Sequence, residues 1–148
     1  MSLKEQLTAD MKEAMKSHDK DRLAVIRMVR GAIRQQEIDG QEELSDEDVI
    51  AVMSKEIKMR RDSIEEFKKG GREDLIAKTQ AEIDVLMPYM PAQLSEDEVR
   101  ELVKAAVAET GAATPKDMGK VMGVLMPKIK GRADGKLVNT LVRSMLQG

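Results

Sequence analysis

Two prolines three residues apart, Pro88 and Pro91, interrupt a chain that is otherwise patterned for helices. Proline lacks the N–H that a helix interior needs, and its ring clashes with the preceding turn. No regular helix therefore runs through Met87-Pro88-Tyr89-Met90-Pro91-Ala92-Gln93-Leu94. The sequence predicts an N-terminal helical domain over residues 1–87, a linker over 88–94, and a C-terminal three-helix domain over 95–148.

Local signals place the helix ends. Ser2 with Glu5, and Ser95 with Glu98, have the S-x-x-E spacing of a capping box. Ser45 precedes Asp46, Glu47 and Asp48, acids that a helix dipole favours in its first turn. Gly40, Gly70-Gly71 and Gly111 are expected to stop helices, and Pro115 to occupy the first turn of another. Between these marks the apolar residues recur at helical spacing: Leu3, Leu7 and Met11; Leu23, Ile26 and Ile33; Val49, Met53, Ile57 and Ile64; Ile76, Ile83 and Leu86. Beyond the linker the stripes are Val99, Leu102, Val103 and Ala106, then Met118, Val121, Met122 and Leu125, then Leu137, Val138, Leu141, Val142 and Met145. The fold class is all-α, an N-terminal helical bundle or hairpin followed by the three-helix domain.

The residue inventory excludes many chemistries. There is no cysteine, which removes disulfides, thiolate nucleophiles and Cys-type metal sites. The single histidine, His18, lies in a charged turn and reads as a surface residue. Phe67 and Tyr89 are the only aromatics, so stacking on bases cannot be the main binding device. No nucleophile has a base at a recognisable spacing, and no catalytic residue, metal or cofactor is expected. No apolar run approaches the ~20 residues that span a bilayer. Met1-Ser2-Leu3-Lys4-Glu5 has no apolar segment behind its charge, so a signal peptide is not expected there and a cytoplasmic protein is the default.

Charge is distributed unevenly. The whole chain is −2, yet residues 111–148 carry seven cations against Asp117 and Asp134, a local +5. Such an end can attract a polyanion although the molecule as a whole is acidic. Gly131-Arg132-Ala133-Asp134-Gly135-Lys136-Leu137 is not a nucleotide-binding P-loop: three residues separate its glycines, and Leu137 stands where Ser or Thr is required. Two readings remain for it. Its turn opens a helix whose free N–H groups suit an anion, with Lys130, Arg132 and Lys136 around them; or Asp134 caps that helix and the lysines are simply solvated. On the following helix Lys136, Asn139, Thr140 and Arg143 lie opposite the apolar side.

Two other arginine groups stand out. Arg60 and Arg61 break an apolar stripe, which predicts an internal ion pair with Asp62, Glu65, Glu66, Glu82 or Asp84. Arg27, Arg30 and Arg34 share a helix face, either as surface display or as an extension of a nucleic-acid-binding surface. Met118, Met122 and Met126 recur every four residues, as a core or an adaptable contact stripe.

Three stretches resemble the GatB/YqeY family. They are Lys55-Glu56-Ile57-Lys58-Met59-Arg60-Arg61-Asp62, Tyr89-Met90-Pro91-Ala92-Gln93-Leu94-Ser95, and Asp117-Met118-Gly119-Lys120 running on to Lys130-Gly131-Arg132-Ala133-Asp134-Gly135-Lys136-Leu137-Val138-Asn139. The last is similar to the tail domain of the B subunit of aspartyl/glutamyl-tRNA amidotransferase. The resemblance implies two helical domains and a tRNA partner, gripped by the tail. The tail positions that match are Lys128, Lys130, Arg132, Lys136 and Asn139. With Arg143 these form the candidate nucleic-acid-binding set, and Arg27, Arg30 and Arg34 the secondary surface.

The expected function is a non-catalytic tRNA-binding protein, or one associated with a tRNA-modifying or aminoacylation-related protein, with no membrane role. Alternatives are a protein–protein adaptor using Met-rich faces and a DNA-binding three-helix unit. A carbon–nitrogen ligase with glutamine as amido donor is a further alternative, only as part of a larger complex.

Overall fold

A computed structural model describes residues 1–147. Seven α-helices and two short 3₁₀ turns make up the regular structure of these residues. The chain separates into two compact units, one through Met90 and one from Pro91 onward.

The first unit is built from α1 (Leu3–Lys16), α2 (Lys20–Gly40), α3 (Asp46–Lys69) and α4 (Glu73–Leu86), and it ends in a 3₁₀ turn over Met87–Tyr89. The Ser2 hydroxyl accepts the Glu5 N–H at 3.2 Å, and the Glu5 carboxylate accepts the Ser2 N–H at 3.3 Å, so two orphan donors of α1 are met. Ser45 and Asp48 make the same reciprocal pair at the start of α3, at 3.2 and 3.0 Å. His18 turns the chain between α1 and α2 with φ 57° and stays exposed.

The end of α2 differs from expectation. Gly40 remains helical, and Gln41 takes the left-handed conformation at φ 53°. The reason lies in Glu37. Its carboxylate accepts both the Lys4 ammonium at 2.7 Å and the Leu44 N–H at 2.9 Å, which pulls the loop back over the end of the helix.

The first core is filled by Leu7, Ile26, Val29, Val49, Met53 and Leu86, all with essentially no exposure. Arg60 lies at the α3–α4 contact. Its guanidinium pairs with Glu56 at 2.8 Å on its own helix and lies 3.5 Å from Glu82 on α4. The ion pair expected from the broken stripe is present. Glu82 was among the expected partners, and Glu56, one turn back, was not.

Tyr89 is tied to α1. Its hydroxyl donates to the Asp10 carboxylate, which also lies 3.8 Å from the Arg22 guanidinium. Burial and the neighbouring carboxylate push the phenol well above its ordinary value. Tyr89→Phe keeps the ring packing and removes this bond, so it is expected to cost about 1–2 kcal/mol. Urea unfolding should show a lower midpoint at an unchanged m-value.

The second unit holds α5 (Glu96–Thr110), a 3₁₀ turn over Pro115–Asp117, α6 (Met118–Ile129) and α7 (Gly135–Gln147). Ser95 and Glu98 cap α5 reciprocally at 3.1 Å in both directions, and Gly111 closes it at φ 69°. Val99, Val103 and Ala106 meet Val121, Leu125 and Ile129, with Val138, Leu141, Val142 and Leu146 completing the core. Pro127 lies inside α6, in its last turn, where it forgoes one helix hydrogen bond, to the Gly123 carbonyl.

Candidate nucleic-acid interface

The entrance to α7 is a tight turn. Gly131 adopts φ 75°, which a side chain would strain, and the Arg132 N–H closes back onto the Ile129 carbonyl at 2.8 Å. The segment Pro91–Leu94 then fastens this turn in place. The Leu94 N–H donates to the Arg132 carbonyl at 2.8 Å, and the Gln93 side-chain amide donates to the Gly131 carbonyl at 2.9 Å. In return the Arg132 Nε–H donates to the Ala92 carbonyl at 3.1 Å. These three bonds link residues about 40 positions apart, so the loop is positioned by the stretch that the prolines keep out of a helix.

Asp134 settles the reading of the helix start. Its carboxylate accepts the Lys136 N–H at 3.1 Å, and its carbonyl accepts the Val138 N–H at 3.1 Å. Of the two readings of this turn, the Asp134 cap is formed, so the helix carries a carboxylate of its own at its first turn.

The candidate residues divide by environment. Arg132 is half-buried, and its Nε–H is held by the Ala92 carbonyl, so it fastens the loop. Lys128 is exposed but lies 3.8 Å from Glu109. Lys130, Lys136, Asn139 and Arg143 are all exposed. Lys130 and Arg143 form no ion pair among the described residues. On α7 the buried side, Val138, Leu141, Val142 and Leu146, leaves Lys136, Asn139, Thr140 and Arg143 on the outer face.

Acidic groups of the same unit are held by caps. The Ser95 N–H and hydroxyl lower the Glu98 carboxyl below its ordinary 4.5, with help from the charge of Arg132. The N–H groups of Ala113 and Thr114 lower Asp117 below 3.8, with Lys120 contributing. Carboxyls lowered in the folded state stabilise it above their unfolded pKa values, and this stability is lost as pH falls through the folded values. The second unit is expected to lose stability below about pH 4.5. Glu98→Gln should flatten part of that loss in thermal melts taken at descending pH.

The secondary set lies in the first unit. Arg27 and Arg34 are exposed on α2, and Arg30 is half-buried with Nη1 2.9 Å from the Met11 sulfur. The methionine stripe of α6 is not displayed as a surface: Met118 and Met122 pack on the core, and only Met126 is exposed. No group of three His, Cys, Asp or Glu side chains able to hold a metal occurs among the described residues, and none of their helices is long and apolar enough to cross a membrane.

Sequence reasoning missed the Gln93–Gly131 and Arg132–Ala92 clamp. The signal available was the pairing of an extended Pro-Ala-Gln-Leu stretch with a distant glycine turn, which no local period reveals.

A family model described as Yqey-like protein matches residues 4–146. The chain belongs to the YqeY-like family. Among its relatives is "Altered inheritance of mitochondria protein 41, mitochondrial" of Pyrenophora tritici-repentis, 37% identical over 95% of this chain and 78% of that protein. The protein of the same name from Saccharomyces cerevisiae is 35% identical over 71% of this chain, which spans 60% of its length. The counterpart from Kluyveromyces lactis is 42% identical over 58% of this chain and 47% of that protein. The cytoplasmic placement expected of this YqeY-like chain is overturned by these relatives, each of which bears a mitochondrial name.

Proposed function

We propose that this YqeY-like chain is a non-catalytic RNA-binding protein whose partner is tRNA, held by backbone phosphates against the α6–α7 loop and the outer face of α7. The observation that carries this reading is the joint exposure of Lys130 and Lys136 at the entrance of α7 and of Arg143 further along its outer face, in a chain whose net charge is negative. The resemblance of this segment to the tail of the amidotransferase B subunit supports the same partner.

Each side chain has a role that follows from its chemistry. Lys130 and Lys136 are flexible point charges that suit phosphates without fixing a base sequence. Arg143 can take one phosphate through its fork of donors. The Asn139 amide can both donate to and accept from a ribose 2′-hydroxyl, the group that distinguishes RNA from DNA. Arg132 acts through the loop that it fastens. With almost no aromatic side chains, recognition falls to shape and phosphate spacing. Association with a tRNA-modifying or aminoacylation-related protein is part of the proposal, and amide-forming chemistry would belong to that partner.

The test is tRNA affinity as a function of salt. Three phosphate contacts predict that affinity falls roughly twenty- to fortyfold between 50 and 200 mM salt. Lys130→Ala, Lys136→Ala and Arg143→Ala should each reduce the log–log slope by about one. Arg132→Ala should weaken binding without that change in slope. Salt curves for the three single variants that coincide with the parent, or no binding at low salt, would rule the reading out.

A further inference from the structure

The α1–α2 hairpin carries a second cationic feature, independent of the RNA surface proposed for the other unit. An open groove of about 380 Å³ runs between the two helices. Arg27, Arg30 and Arg34 line it from α2, and Lys4 lines it from α1. Four cations thus meet in one groove, although residues 1–94 hold more acids than bases. The single carboxylate in the lining, Glu37, is already taken by Lys4 and by the Leu44 N–H. No ion pair reaches any of the three arginines among the described residues. The partner of Arg30 is the Met11 sulfur, a weak acceptor that leaves most of the guanidinium donors unspent.

Gly31 is the second observation. It lies one turn after Arg27 and three residues before Arg34, on the groove side of α2. A glycine inside a helix is destabilising relative to alanine, so some other demand normally accounts for it. Packing makes no such demand here: a Cβ at Gly31 would meet no atom within 4 Å. What the glycine leaves is open space in the groove, between the arginines.

We propose that this groove is a phosphate-binding site, with Arg27, Arg30 and Arg34 as the ligating side chains and Gly31 as the opening that lets the anion settle between them. Several guanidinium forks around one opening suit a phosphate or a short chain of phosphates, which offers more acceptor oxygens and charge than a carboxylate. The volume matches a small phosphorylated ligand, and the open ends also admit one strand of a nucleic acid. The shared chemistry is the phosphate group.

The experiment uses the full chain labelled with ¹⁵N and titrated with pyrophosphate to about 10 mM. Saturable shifts at the amides of residues 27–34 are expected. The double variant Arg27→Gln/Arg34→Gln should weaken binding by roughly tenfold or more, with its melting curve retained. Gly31→Leu adds no charge and improves helix propensity, so its melting temperature should rise while pyrophosphate affinity falls about tenfold. A second arm adds a short single-stranded RNA to a chain carrying Lys130→Glu, Lys136→Glu and Arg143→Glu. RNA that still shifts residues 27–34 and competes with pyrophosphate identifies a nucleic-acid source of the phosphate. Pyrophosphate binding without RNA binding identifies a small ligand. The proposal is overturned if neither probe gives saturable shifts at residues 27–34, if Gly31→Leu binds like the parent, or if poly-glutamate displaces pyrophosphate as well as RNA does.

Discussion

Changing Lys130, Lys136 and Arg143 together to Glu is expected to lower tRNA affinity by about 100-fold or more at moderate salt. Each cation near a polyanionic surface contributes about 1 kcal/mol, so neutralising three removes roughly 3 kcal/mol, and reversal adds repulsion. The fold should survive, because all three side chains are exposed and the core side of α7 is untouched. Circular dichroism and thermal melting close to the parent would establish that. The loss should shrink at high salt, where these contacts are screened in the parent as well. An equal loss at every salt concentration would point to a folding defect instead of lost phosphate contacts.

Leu125→Ala is expected to have the largest effect on stability. Leu125 is fully buried between α5 and α7 contacts, and removing its side chain costs about 2–5 kcal/mol as lost burial plus cavity. The unit that begins at Pro91 is small, and units of this size have little stability to spare. Hydrogen exchange should show α5, α6 and α7 losing most of their protection in this variant. The neighbouring Met126→Ala should change stability by no more than about 0.5 kcal/mol, because Met126 is 41% exposed. Equal effects of the two substitutions would contradict the core described for this unit. tRNA affinity should fall with folding in Leu125→Ala and stay near the parent value in Met126→Ala.

Helix boundaries were legible where their chemistry is local. Ser2 with Glu5 and Ser95 with Glu98 announce themselves within four residues, and both boxes are formed. Gly111 is legible for the same reason, since a left-handed residue closes α5. Gly40 misled because the terminus of α2 is decided by Glu37 reaching Lys4 and Leu44, contacts that lie outside any local window. The outer face of α7 could be read from helical periodicity alone, which separates Lys136, Asn139 and Arg143 from Val138, Leu141 and Val142.

The roles of Arg132 and Asp134 could be read only in part. An arginine in a basic loop looks like its neighbours until the Ala92 carbonyl is found beside it, 40 positions away. Tyr89 hides in the same way: its partner Asp10 is 79 residues distant. Long-range polar contacts leave no period in a sequence, whereas caps and stripes do.

In the proposed complex, RNA phosphates meet the α6–α7 loop and the outer face of α7. Amide shift mapping of the ¹⁵N-labelled full chain with substoichiometric tRNA tests it most directly. The earliest and largest perturbations are expected on residues 130–143, with the acidic first turn of α5 unaffected. Perturbations absent from residues 130–143 at low salt, whatever else shifts, would contradict it.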